Sequence, residues 1–161
     1  MYIIGIDCGL TGGVGVLWGS KFSAVYDTPT LTVKAFKGTR HEYDLGGMAK
    51  MLQHYTGLTY KIQVFVEEAQ SMPKQGVRST FTTGLGFGAW LGILAALGIP
   101  YTRVRPTVWK RALGLGRDKE HCRLRAQQLF PLADLHRKGD HGRAEALLLA
   151  WYGLHELAGR R

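Results

Sequence analysis

Four acidic residues spread along the chain stand where apolar runs end or a helix begins. Asp7 closes "MYIIGID", Glu67 closes "KIQVFVE", and Asp140 and Glu145 lie in "GDHGRAEALLLAWYG". His141 precedes Glu145 by four residues, so on a helix the two share a face. Carboxylates held on rigid elements are hard oxygen donors of the kind Mg2+ takes, alongside waters and substrate phosphate. Two such ions about 4 Å apart activate a water and stabilise the leaving oxygen of an in-line phosphodiester displacement. Each residue also has a plainer reading: Asp140 as a helix N-cap, His141 as a surface imidazole, Glu145 as a solvated helix charge. Glu145 is bordered by Ala144, Ala146, Leu147, Leu148 and Leu149, which argues for a carboxylate turned into a site rather than into bulk water. Glu68 follows Glu67 on the opposite face of the strand, and the run leaves open which of them faces the site.

The charge balance says what such a site would act on. Lys and Arg number 21 against 12 Asp and Glu, a formal net charge of +9. That excess favours phosphate-rich partners and steeply salt-dependent binding. Lys74, Arg78 and Phe81 follow Glu67, the two cations suited to meeting phosphates. Lys110, Arg111, Arg117, Lys119, Arg123 and Arg125 form a second basic region before the final helix. The plainer expectation is that half of these are ordinary solvated side chains. Together, converging carboxylates and a basic surface point to a metal-dependent nuclease. The two cysteines, Cys8 and Cys122, have no metal-ligand spacing, so neither a zinc site nor a disulfide framework is expected. No signal peptide is read at the N-terminus, and a cytoplasmic location in a bacterial or phage-infected cell is expected.

The elements that would position these groups read as α/β. "YIIGIDCG", "GGVGVLWGS" and "KFSAVYDTP" form a three-strand meander, and "KIQVFVE" and "IPYTRVRP" supply two more strands. Residues 34–40 read as a basic loop. Helices are expected over "YDLGGMAKMLQHYT", from about Val77 to Leu97, after Pro106, over "DKEHCRLRAQQLFP" with Asp118 as cap, and from near Asp140 to about Leu157. Residues 81–99 carry no charge and are nearly long enough to span a bilayer, but Thr82, Thr83 and five glycines favour a buried helix instead. Gly84, Gly88 and Gly92 recur along one face of that helix, which would pack closely on a sheet or a second subunit. Without repeat, low-complexity tract or linker, residues 1–161 read as a single domain.

Asp7, Gly9 and Thr11 form a tight turn after the first strand that resembles the phosphate-binding turn of the actin and sugar-kinase superfamily, whose members need a much longer, two-lobed chain. Over nearly its whole length the chain resembles RuvC-type Holliday junction resolvases of the ribonuclease H-like superfamily, closest to the bacteriophage and organelle branch. The segments that carry the resemblance are "GIDCGLTGGVGV", "VFVEEAQSMPKQGVRS", "LAALGIPYTRVRPTVWKRALGLGRDKE" and "DHGRAEALLLAWYG". It implies a ribonuclease H-like fold with a mixed five-stranded sheet flanked by helices. It also implies a Mg2+-dependent homodimer, with Mn2+ an alternative and two ions per site, nicking opposed strands of a four-way DNA junction symmetrically. By matching position, Asp7 would bridge the ions, Glu67 and Glu145 would complete their shells, and Asp140 or His141 would position or deprotonate the water. A less selective ribonuclease H-like nuclease acting on flaps or RNA–DNA hybrids, and a non-catalytic junction-binding protein, stand as alternatives.

Overall fold

The computed structural model describes residues 1–57, 60–70 and 75–159. Its central sheet runs β3-β2-β1-β6-β7, with β1 (Tyr2–Asp7), β2 (Gly13–Trp18), β3 (Lys21–Asp27), β6 (Ile62–Glu67) and β7 (Tyr101–Val104). The first three strands form an antiparallel meander, and β1–β6 and β6–β7 pair in parallel. The sheet is therefore mixed and five-stranded, as the sequence predicts. Parallel pairing brings the carboxyl ends of β1 and β6 side by side, Ile6 opposite Val66, so Asp7 and Glu67 emerge at one end of the sheet.

Both faces of the sheet are covered, which is why β1 and β6 read as continuous apolar runs. Ile3 and Phe65 pack with the helices α3 (Pro106–Ala112), α4 (Lys119–Leu129) and α5 (His141–Gly159). Ile4, Ile6, Val64 and Val66 pack with α1 (Leu45–Thr56) and α2 (Val77–Ala96). The period of two then assigns the ends: Asp7 continues the Ile3–Gly5 face and Glu67 the Phe65 face, both toward α5. Glu68, on the alternate face, hydrogen-bonds Arg105 at 3.3 Å. The orientation that the sequence leaves open thus follows from which neighbours are buried on which side.

Helix α5 sits unusually close to the strands. A Cβ at Gly5 would strike the Ala146 carbonyl oxygen and the Ala150 amide, and one at Gly15 would strike the Leu147 backbone. Only glycine lets the helix backbone lie on β1 and β2, and this brings Glu145 down to the end of β1. Asp44 caps α1 by accepting from the Gly47 amide at 2.9 Å, and Asp118 caps α4 from the Glu120 amide at 2.9 Å. In α2, Gly86, Trp90 and Leu94 face the core, whereas nothing lies within 4 Å of where a Cβ would stand at Gly84, Gly88 or Gly92. Among the described residues no helix is long and apolar enough to cross a membrane.

One expectation holds only in part. Residues 35–38 are the turn of a β-hairpin, but Lys34, Thr39 and Arg40 belong to its strands, β4 (Thr30–Lys34) paired antiparallel with β5 (Thr39–Tyr43), which form their own two-stranded sheet. "TRHEY" is polar and exposed up to Tyr43, and "TLTVK" alternates Leu31 and Val33 with polar residues over too few positions to mark a strand by itself.

Candidate active site

Asp7, Glu67 and Glu145 lie within electrostatic reach of one another at the carboxyl end of β1 and β6. Each has one oxygen fixed by a neighbour. Asp7 Oδ1 accepts from the Gly9 amide at 3.1 Å, Glu67 Oε2 from the Trp109 indole Nε1 at 2.8 Å, and Glu145 Oε1 from Lys110 Nζ at 2.8 Å. The second oxygen of each carboxylate has no hydrogen-bond partner among the described residues. Burial, reinforced by the negative charge of Glu145, pushes the Asp7 carboxyl up to about 6. Burial and the charges of Asp7 and Glu145 push Glu67 further, to about 8. Desolvated acids that repel one another, held by one oxygen with the other exposed to the site, are poised to exchange protons for a metal cation. Lys110 enters the same cluster; although burial works against its charge, the hydrogen bond and the charge of Glu145 raise its pKa.

His141 begins α5 one turn before Glu145, and its Nδ1 is buried without a partner among the described residues. A bare buried imidazole nitrogen is a strained arrangement in a closed protein and an ordinary one in a ligand or base. Three carboxylates, each with an oxygen free, are a donor set that suits a hard divalent ion. As the side chains stand, no three His, Cys, Asp or Glu among the described residues are drawn together tightly enough to hold one, and Trp109 and Lys110 engage one oxygen of Glu67 and of Glu145 respectively.

Asp140 is placed differently. Its Oδ2 accepts from the Arg137 amide at 2.7 Å, its Oδ1 from the Arg137 Nε at 2.8 Å, and Arg143 lies 4.0 Å away. The side chain is 1% exposed and committed to arginines, so the structure does not bring it to the other three acids. Its plainer reading, as an N-cap, holds by position, since Asp140 directly precedes α5 and its carbonyl accepts from the Ala144 amide at 3.0 Å, but its side chain bonds Arg137 and not the first helix amides.

Asp7 and Glu67 open onto a cleft of about 760 Å3 that Glu68, Lys110, Arg111 and Arg117 also line, and Glu145 pairs with Lys110 of that lining. Lys119 is near enough to act on Asp7 through space. Arg78 and Phe81 stand exposed on the first turns of α2, Phe81 71% so. Arg123 does not face the cleft. Its guanidinium is spent on Glu120, Gln127 and the Leu135 carbonyl, so it holds α4 to the following loop. Lys74 lies outside the described residues. Cys8 is buried, its thiol pushed up to about 12 by desolvation and neighbouring Asp7 and Glu67, and it donates to the Glu67 carbonyl.

Two contributors escape the sequence. Trp109 is fully buried and fixes Glu67 from 42 residues away; its adjacency to Lys110 in "PTVWKRAL" is the one local hint. Arg143, which appears a mere helix charge in sequence, binds Asp27 through two nitrogens at 2.7 Å and reaches Asp134 at 3.1 Å, tying the first turn of α5 to the end of β3.

No family model matches the chain. A curated relative, "Holliday junction resolvase MOC1, chloroplastic" of Chlamydomonas reinhardtii, is 34% identical over 94 residues, which is 56% of this chain and 11% of that protein. The chain thus spans about a tenth of the length of that relative. Among solved structures, T. thermophilus RuvC in complex with a Holliday junction substrate matches with a TM-score of 0.65 at 21% identity, covering 99% of this chain and 96% of that one. A second Thermus thermophilus RuvC structure matches at 0.60 and 20% identity, covering 99% and 97%. The chain therefore has the ribonuclease H-like fold of RuvC, and its resemblance to RuvC-type resolvases holds in sequence as well as in architecture. The chloroplast label of the curated relative does not fit the bacterial or phage-infected cytoplasm expected from the sequence.

Proposed function

We propose that this chain is a structure-selective DNA endonuclease that resolves four-way junctions by paired nicks, using divalent ions held at the end of β1 and β6. The observation that carries the reading is the gathering of Asp7, Glu67 and Glu145 on the α5 face of the sheet, each with one oxygen pinned and one free, beside a cleft that Lys110, Arg111 and Arg117 help to line. The likeness to a Holliday junction resolvase and to RuvC supports the choice of substrate.

In this proposal Asp7, Glu67 and Glu145 hold Mg2+ or Mn2+, with His141 as the fourth group. When bound, the ions would supply Lewis-acid activation of water and charge neutralisation at the leaving oxygen. The chain does the rest. Trp109 fixes the orientation of Glu67, so that its free oxygen points into the site. Lys110, paired to Glu145, is placed to shift onto a phosphate oxygen once that carboxylate takes another cation. His141 Nδ1, free of internal bonds, is the group available to orient or accept a proton from the attacking water. Arg111 and Arg117 align the backbone of the strand along the cleft wall.

A homodimer is part of the same reading. Gly84, Gly88 and Gly92 form an open small-residue stripe on α2 facing away from the core, which supports close approach of a second copy and presents two sites to a near two-fold junction. The test is cleavage of a mobile four-way junction beside a linear duplex and an RNA–DNA hybrid in Mg2+. Symmetric nicks in the junction, lost in Asp7→Asn with binding retained, support the proposal. Equal cleavage of all three substrates favours the less selective nuclease, and unaltered cleavage by Asp7→Asn contradicts the assigned chemistry.

A further inference from the structure

The hairpin β4–β5 is the part of the molecule that the carboxylate site does not use. It carries Phe36 at its apex, 101% exposed, between Lys34 and Lys37, and neither lysine has an ion-pair partner among the described residues. Gly38, in the left-handed region at φ +75, makes the turn, and the Ala35 amide closes it on the Gly38 carbonyl at 3.0 Å. Arg40 is paired to Glu42 lower on the ribbon.

The root of this ribbon is fixed to the active end of the sheet. Buried Tyr43 donates its hydroxyl to the Cys8 carbonyl at 3.3 Å, one residue beyond Asp7, and Gly86 of α2 backs directly onto the Tyr43 ring. The Asp44 amide bonds the Pro29 carbonyl at 3.0 Å across the base. From there a five-residue strand extends about 17 Å. A groove of about 410 Å3 runs between the ribbon and α2, walled by Arg40, Tyr43, Arg78, Phe81 and Leu85. The contacts thus tie the base of the ribbon to the end of the sheet that carries the carboxylates, and the apex lies a strand's length from that base.

A single exposed apolar residue needs no explanation. An aromatic ring bracketed by unpaired cations at the tip of a two-stranded ribbon is a different object: the ring offers a stacking face to an unpaired base, and the lysines can meet the phosphates on either side. We infer that the β4–β5 apex is a branch-point contact, with Phe36 stacking on a base exposed where the DNA arms part and Lys34 and Lys37 holding the flanking phosphates. This rests on the junction-cleaving reading above. Contact with a second copy of the chain is disfavoured, because two such tips would set lysine against lysine.

The test uses the full chain with Asp7→Asn, which is expected to bind without cutting, and a four-way junction carrying 2-aminopurine at the branch. Adding Phe36→Ala should weaken junction binding by at least about fivefold and blunt the 2-aminopurine response, while leaving linear-duplex binding unchanged. Phe36 touches no core residue, so folding is not at stake. Lys34→Ala with Lys37→Ala should weaken both substrates and lower the salt slope by about two. If the parent prefers the junction and Phe36→Ala matches it in affinity and fluorescence, this inference alone is overturned. It is equally overturned if Phe36→Ala changes only the sedimentation of the free protein, which would assign the apex to an interface between copies. If the parent shows no preference for the junction, the functional reading fails and takes this inference with it.

Discussion

Two acidic clusters flank the start of α5, and they are built to opposite ends. Asp27, Asp134 and Asp140 face Arg137 and Arg143, with every carboxylate bonded to a guanidinium, and Asp27 is held below its usual range chiefly by its hydrogen bonds from Arg143. Asp7, Glu67 and Glu145 share one lysine, one indole and one amide among them, and burial drives two of them upward. The first cluster spends its charge on holding helix to strand. The second keeps unspent charge in a buried place, a destabilising arrangement that persists where a site needs it. The contrast separates acids that build from acids that bind.

Replacement of one member from each cluster should separate them most sharply. Asp7→Asn is expected to lower junction cleavage by about 10³-fold or more, since several kcal/mol of transition-state stabilisation depend on the ions it would hold. Asp27→Asn should leave the cleavage rate within about threefold. Assays under single-turnover conditions would read both.

Trp109→Phe keeps the packing of a fully buried ring but removes the hydrogen bond to Glu67. Losing such an outer partner of a ligand should weaken the apparent Mg2+ affinity by about tenfold with little change in DNA binding. A Mg2+ titration of cleavage would show it as a shift in half-saturation. If only the melting temperature moves, Trp109 is structural and does not position Glu67.

The clusters should also respond oppositely to pH. Asp7 and Glu67 hold their protons more tightly folded than unfolded, so metal-free protein should lose stability as pH rises from the ordinary carboxylate range toward about 8. Asp27, its folded pKa lowered, gives stability that is present at neutral pH and lost on acidification below that range. Melting temperatures in EDTA across pH 5–8 should therefore fall with pH, and Glu67→Gln should flatten the trend. Saturating Mg2+ should offset it, since ion binding tightens as the competing protons leave. The smallest effect belongs to Asp27→Asn on stability. Asp27 is half exposed, so the loss should be no more than about 1 kcal/mol by denaturant unfolding.

The same contrast explains what could be read from the chain in advance. Asp7 and Glu67 were legible because each ends a short apolar strand, and Glu145 because it interrupts an alanine–leucine run. The sheet followed from those same runs. Asp140 looked equivalent to them, since nothing local reveals that Arg137 and Arg143 fold back to engage it. Glu67 and Glu68 could be told apart only after Phe65 was seen against α5 and Arg105 beside Glu68. Trp109 acts across 42 residues, a distance that periodicity does not encode. The hairpin was hidden for another reason: the alternation of Leu31 and Val33 is too short to stand out, and the basic, polar residues from Lys34 to Glu42 have the composition of a loop.

The most direct measurement is Mn2+ binding to the DNA-free protein, followed by paramagnetic resonance, in wild type, Asp7→Asn and Asp27→Asn. The account predicts that wild type and Asp27→Asn take up the ion alike while Asp7→Asn loses most of that uptake. Undiminished binding by Asp7→Asn, or loss of binding in Asp27→Asn, would contradict the division between the two clusters on which the proposed chemistry depends.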